Sequence, residues 1–304
     1  MELRQLRYFV AVAEELHFGR AARRVHIAQP PFSQQIKGLE EEIGARLLER
    51  NSRKVRLTGE GRYFYKQALS ILSQAEEAAA TVARMAKGEY GNIKVGFMEI
   101  AMDSLLPEAV RSFRHRYPGV SVQLSQFGAT IQLQRIHSGE LDVGFSTVYL
   151  HAMEGLSSVK LFSKNHVLAV PEDHIFTGRD SISLEEIAGE QLIMFPRTGQ
   201  PDLHDAIMEA FTFKGLTPVI SQEVSGLSGA SALIASGMGV TFLPENSRVS
   251  RKGITLVPLA EEFPSMDIYM VWNKEEYSNT AGVFMERVAD YFSVTKSFAD
   301  EVSS

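Results

Sequence analysis

The chain has 304 residues, 31 lysines and arginines against 37 aspartates and glutamates, and a net charge of −6, a length that asks for two or three compact units, each with its own core. It has no cysteine, which removes disulfides, thiolate metal sites and cysteine nucleophiles and fits a reducing compartment. The longest N-terminal apolar stretch, Phe9 to Ala13, is too short for an export signal, and no apolar run reaches the about eighteen residues of a membrane span, so a cytoplasmic protein without membrane contact is expected.

The charge divides unevenly along the chain. Residues 1–88 hold 15 basic against 10 acidic residues, and the remainder 16 against 27. A basic head on an acidic body directs polyanion binding to the head. Within it, Leu3, Leu6, Phe9, Val10 and Ala13 recur at helical spacing and predict a first helix ending near Glu15. His17-Phe18-Gly19 interrupts the pattern, and Arg20 to Val25 forms a short second helix whose Ala21 and Ala22 permit close approach of another helix. After a turn at Ala28-Gln29, a third helix begins at Pro30-Pro31, where the first-turn amides need no intrahelical acceptor, and runs through Phe32, Ile36, Leu39 and Ile43.

That third helix leaves Ser33, Gln34 and Lys37 toward solvent beside Gln29. Glutamines at such a helix start can pair with base edges in a major groove, while Ser33 and the terminal amides suit phosphate. Taken alone, a solvated face on a three-helix bundle accounts for the same residues. The next segment favours the first reading: Arg50, Arg53, Lys54 and Arg56 surround an Asn51-Ser52 turn and read as a basic hairpin wing, which supplies a phosphate-binding term next to a base-reading one.

Residues 1–88 resemble the head of the LysR-type transcriptional regulators. The matching elements are Met1-Glu2-Leu3-Arg4, Tyr8 to Glu14, Phe18 with Arg20-Ala21-Ala22, Gln29-Pro30-Pro31 with Ser33-Gln34-Gln35-Ile36, Leu39-Glu40, Gly44, Leu47 to Arg50, and Leu57-Thr58 with Gly61. The opening is most similar to regulators of aromatic-compound and acetoin catabolism. The resemblance implies a DNA-reading set of Gln29, Pro30, Pro31, Ser33, Gln34 and Lys37, with Arg53 and Lys54 on the wing. The implied partners are a double-stranded operator, a second and further copies of the chain up to a homotetramer, and RNA polymerase.

Thr58 predicts the N-cap of a long helix that runs to about Lys87 before Gly88 stops it. Phe64, Ala68, Ile71, Ala75, Ala78, Val82 and Met85 alternate spacings of four and three along it, a heptad seam suited to pairing two copies. Two reading helices related by a two-fold axis require an operator of inverted-repeat character.

From Gly91 short apolar strands alternate with helices. Candidate strands at 93–97, 120–124 and 141–145, with helices near 104–116 and 130–138, predict an α/β unit with parallel strands. A second series follows: strands at 166–170, 192–195, 219–220 and 240–244, with helices near 201–213 and 226–236. A strand at 267–272 and a closing helix near 280–293 return to the first unit. Leu105-Leu106-Pro107, Phe113 with Tyr117-Pro118, Gly139 to Gly144 and Gly237 to Pro244 resemble the LysR effector domain, a two-lobed fold of periplasmic-binding-protein type. The expected organisation is a winged helix-turn-helix over residues 1–58, a coiled-coil linker helix over 59–89 and an effector domain over 90–304. Its lobe I is 90–161 with 269–304, and its lobe II is 162–268.

The resemblance places the effector cleft at Glu99, Ile100, Gly128, Ala129, Thr130, Thr147, Pro196, Pro201 and Leu203. Muconate-responsive members carry hydroxyl residues where this chain has Ile100 and Ala129, and Glu99 adds a negative charge. The implied effector is accordingly not a doubly charged muconate-like acid but a small organic or aromatic acid, or a neutral molecule. Enzyme readings find little support: Gly226-Leu227-Ser228-Gly229-Ala230 fails the nucleophile elbow at its last position, and Gly237-Met238-Gly239 lacks the third glycine of a dinucleotide loop. No metal-ligand spacing occurs among the eight histidines, so neither catalysis nor a cofactor is expected.

Overall fold

Three helices open the chain in the computed structural model, which describes residues 1–51, 54–103, 106–147, 153–245 and 252–303. They are α1 (Leu3–Glu15), α2 (Phe18–Arg24) and α3 (Gln29–Ile43). Leu6, Phe9 and Val10 of α1 bury against Phe32, Ile36 and Leu39 of α3, and Ala21 and Ala22 let α2 into the same core. Burial of each large side chain contributes about 1.5–3 kcal/mol. The second helix starts two residues before the apolar pattern suggests because His17 caps it: Nδ1 accepts the amides of Gly19 at 3.1 Å and Arg20 at 3.3 Å. Histidine is outside the usual capping set, so this start is not legible from local sequence signals.

The wing is an antiparallel pair, β1 (Leu48–Asn51) and β2 (Lys54–Leu57), with Leu48 opposite Leu57 and Asn51 opposite Lys54. Its base is fastened to α3 by Glu40, whose Oε1 accepts the amides of Leu47 at 2.9 Å and Leu48 at 3.0 Å. The long helix α4 (Gly59–Ala86) follows, capped as expected by Thr58, whose hydroxyl accepts the Gly61 amide at 2.8 Å. Gly61 is needed there because a Cβ would collide with the Leu47 carbonyl.

The predicted heptad seam is divided. Phe64 and Ala68 belong to the head core, with Phe64 5.2 Å from Phe9, and buried Leu72 joins them. Ile71, Val82 and Met85 remain exposed. One apolar stripe therefore serves the head at its start and is exposed further along, a division that periodicity cannot register. Tyr65 on the same helix donates to Glu14 of α1 at 2.9 Å, which pushes its phenol pKa up.

The chain divides into two compact units, Met1–Arg84 and Met85–Ser304. In the second unit the elements are β3 (Gly91–Phe97), α5 (Glu99–Met102), α6 (Leu106–Arg116), β4 (Val120–Gln126), α7 (Ala129–His137), β5 (Val143–Ser146) and β6 (Leu156–Lys164). The next series is β7 (His166–Pro171), α8 (Leu184–Ile187), β8 (Gln191–Met194), α9 (Pro201–Phe213), β9 (Val219–Glu223), α10 (Leu227–Ala235), β10 (Thr241–Pro244) and β11 (Ile254–Val257). The chain closes with β12 (Met266–Asn273), α11 (Asn279–Tyr291) and α12 (Thr295–Ser303).

A five-stranded sheet runs β4-β3-β5-β12-β6, and a second system holds the three-stranded β10-β7-β11 and the pair β8-β9, bridged at Leu192 and Val240. The strands β3, β4 and β5 are parallel as expected, but β12 is antiparallel to both β5 and β6. The reason is topological: β6 carries the chain toward the second system, and a strand returning from there enters the first sheet from the opposite end. Phe284 of α11 packs edge-on against Phe113 at 5.0 Å and Phe145 at 6.3 Å, closing the first core.

Gln132 of α7 lies across Gly96 of β3 and Gly144 of β5, where added Cβ atoms would sit 3.1 and 3.0 Å from its Oε1. Its Nε2 donates to the Phe127 carbonyl at 2.9 Å. Two strand glycines thus make room for a buried glutamine that holds the loop before α7, and with it one wall of the cleft described next.

Candidate functional site

The outer edge of α3 is polar at its start. Gln29, Pro30, Pro31, Gln34 and Lys37 are exposed and Ser33 is half-buried, while Phe32, Ile36 and Leu39 anchor the opposite side. Ala28, at the cap position, offers no side-chain bond to the first turn; Pro30 and Pro31 carry no N–H and the Phe32 amide bonds the Ala28 carbonyl at 3.2 Å, so Gln29 supplies the first-turn amide at the positive end of the helix dipole. Lys37 pairs with Glu41 at 3.3 Å, an exposed pair within one helix turn that competes weakly with a phosphate. Lys54 is exposed on β2. Arg53 lies outside the described residues.

The second unit contains a cavity of 420 Å³ between the two sheet systems. One wall comes from the ends of β3 and β4 and the start of α7: Met98, Glu99, Ile100, Gln126, Phe127, Gly128 and Ala129. The other comes from β7, β8, β10, β12, the loop before α9 and the start of α10, with His166, Met194, Phe195, Pro196, Gln200, Gly226, Leu227, Phe242 and Met266. Most of this surface is apolar, and strand ends and helix starts supply the polar points, an arrangement suited to holding a small organic molecule. Glu99 crosses the cavity: its Oε2 accepts the Leu227 amide at 2.9 Å and its Oε1 the Ser228 hydroxyl at 3.0 Å. His166 is buried, with Nδ1 2.7 Å from the Pro264 carbonyl, and burial pushes its pKa below the ordinary 6.5.

Residues 3–62 match the family described as "Bacterial regulatory helix-turn-helix protein, lysR family", and residues 86–293 match "LysR substrate binding domain". The chain belongs to the LysR family. It is 38% identical over 283 residues to the HTH-type transcriptional regulator YnfL of Escherichia coli K12, an alignment covering 92% of this chain and 95% of that one. With the HTH-type transcriptional regulator AlsR of Bacillus subtilis 168 it shares 36% identity over 249 residues, 82% of each chain. Full-length CbnR, solved in complex with its target DNA, superposes with a TM-score of 0.83 at 27% identity, covering 96% of this chain and 100% of that one.

This LysR protein is a DNA-binding transcriptional regulator with an effector-binding domain, in a family of regulators rather than enzymes. Its fold is an N-terminal helix-turn-helix joined to a C-terminal mixed α/β domain. Among the described residues no helix is long and apolar enough to cross a membrane.

Of the residues assigned to the effector cleft from sequence, Glu99, Ile100, Gly128, Ala129 and Pro196 line the cavity. Four others do not. Thr130 points its hydroxyl at the Thr198 carbonyl at 3.5 Å, and Thr147 packs its hydroxyl 3.9 Å from Met98 Sδ. Pro201 opens α9, and Leu203 turns from that helix into the core. Sequence reasoning did not find His166, Gln200, Phe242 or Met266. An isolated histidine opening an apolar strand carries no distinguishing pattern, and the others come from separate elements that only the tertiary fold brings together.

Proposed function

We propose that this LysR regulator reads an operator with the start of α3 and controls a promoter through a small organic or aromatic acid held in the interlobe cavity. Gln29 and Gln34 contact base edges, Ser33 and the Gln29 backbone amide beside Pro30 and Pro31 meet phosphate, and Lys37, Arg53 and Lys54 neutralise neighbouring phosphates. The observation that carries this reading is the segregation of α3: an exposed polar start on a helix whose other side is fully buried.

Ile71, Val82 and Met85, exposed on α4, support a homodimer through the linker helix, with the head over 1–58, the linker over 59–89 and the effector domain over 90–304. A dimer reads an inverted repeat, and further contacts build a homotetramer that meets RNA polymerase in the cytoplasm. Effector binding shifts the equilibrium between two arrangements of lobes and subunits and so alters the spacing of the heads.

Sequencing the DNA recovered with the protein from its native cell should return an inverted repeat. Footprints on that DNA should change in extent when effector saturates the protein. A footprint identical with and without a ligand independently shown to be bound would rule out the switch.

A further inference from the structure

Two polar features of the cavity go beyond the effector reading. The first is Glu99. Leu227 is the opening residue of α10, so the Glu99 carboxylate occupies the position where uncompensated helix amides attract an anion. Glu99 follows β3 in the first sheet system, whereas α10 belongs to the second, and the bond therefore spans the cleft. Gly226 permits it: the residue sits at φ 83°, and a Cβ there would lie 3.3 Å from Glu99 Oε2. Among the described residues lining the cavity, Glu99 is the one carboxylate, and no lysine or arginine accompanies it. A second carboxylate brought by a ligand would meet this fixed negative charge without a balancing cation, in a cavity where water screens poorly.

The second feature is His166. The Pro264 carbonyl can only accept, so Nδ1 carries the ring proton, and Nε2 is left a bare acceptor with no partner among the described residues. A buried lone pair of this kind costs free energy until a donor reaches it. On the first wall, the start of α7 at Gly128 and Ala129 has no side-chain cap and borders the same cavity, which leaves one anion position open.

We propose that Glu99 is a resident counter-ligand whose carboxylate fills the anion position at the start of α10, so that the cleft accepts ligands carrying at most one negative charge and offering a hydrogen-bond donor to His166 Nε2. This rests on the reading of the cavity as the effector site. The preferred class is a small aromatic or aliphatic monoacid with a hydroxyl or amino group at its far end, with its carboxylate at α7 and its apolar body against Met98, Phe195 and Met266.

The test uses the full-length protein and acetate as the probe. In Glu99→Ala, acetate should enter the vacated position, raise the melting temperature saturably and shift the Leu227 and Ser228 amide resonances, with an affinity about tenfold or more above wild type. Glu99→Ser, which keeps a polar group, should respond in the same way, so the test stands if the alanine variant folds poorly. Glu99→Gln retains the acceptor for the Leu227 amide and should stay as unresponsive as wild type. Calorimetry with three benzoates that differ only at the para position reads the ligand class. Wild type should favour 4-hydroxybenzoate over both terephthalate, with its second charge, and 4-methoxybenzoate, with no donor. A wild type that favours either of those two overturns the proposal, as do alanine and serine variants no more responsive to acetate than wild type. Failure of the effector reading has a different signature: acetate still rescues the Glu99 variants, but blocking the cavity by Ala129→Trp leaves effector-dependent footprints unchanged.

Discussion

The polar edge of α3, proposed to read DNA, and the cavity between the two sheet systems treat polar groups in opposite ways. On α3, Gln29 and Gln34 stand in solvent, with their amides committed to water until a partner arrives. In the cavity, Glu99 is already bonded across the cleft, and His166 is removed from water with one ring nitrogen satisfied. The difference follows from the size of what each region is built to meet. DNA brings its own dense charge and a long surface, so exposed groups suffice and affinity accumulates over many phosphates. A small molecule contributes few contacts, and only a desolvated site in which each unpaired atom carries a cost can distinguish one such molecule from another.

That contrast can be broken most forcefully from inside the head. Ile36, fully buried beneath the reading edge, should lose about 2–5 kcal/mol of stability on replacement by alanine, and operator binding should be lost with it, as followed by denaturant unfolding and fluorescence anisotropy. Survival of sequence-specific binding in a melted head would separate reading from folding. Less disruptive are changes on the edge itself. Gln29→Ala should remove about 1–3 kcal/mol of discrimination at its base position, measured by competition between operators differing at one base pair. Arg53→Ala should weaken binding to all sequences alike and reduce the salt slope by about one unit. If both variants bind operator like wild type, the reading edge is elsewhere.

The cavity gives the smallest effect, expressed in pH. Burial lowers the His166 pKa below 6.5, so as pH falls the unfolded chain takes up this proton before the folded one does. The stability contributed is complete above pH 6.5 and is lost as pH drops below it toward the lower folded value. Unfolding free energies of wild type should decline across that window more steeply than those of His166→Gln. Parallel curves would mean that the imidazole is already hydrated, and the distinction between a wet edge and a dry cavity would weaken.

How far each region was legible in the sequence follows the same division. The proposed DNA-reading set is local: Gln29 to Lys37 lie on one helix, so a single apolar stripe of Phe32, Ile36 and Leu39 determines which residues face out. The Thr58 cap and the stop at Gly88, which has a φ of 71°, were legible for the same reason. The head also shows where local reading ends: Phe64 and Ala68 fit the heptad of α4 equally well whether they face a second copy or their own core, and packing against Phe9 decided it.

By itself the sequence determined the family, the order of helices and strands, the polar start of α3 and the basic wing, because periodicity, caps and charge act over a few residues. Tertiary structure alone decided that Glu99 meets Leu227 and Ser228, that His166 borders the same cavity as Ile100 and Ala129, and that β12 runs against β5. These juxtapositions join residues from 37 to 129 positions apart, and no local preference encodes them. They arise when the chain crosses between two sheet systems and returns, bringing helix starts and strand ends from both to face one cleft.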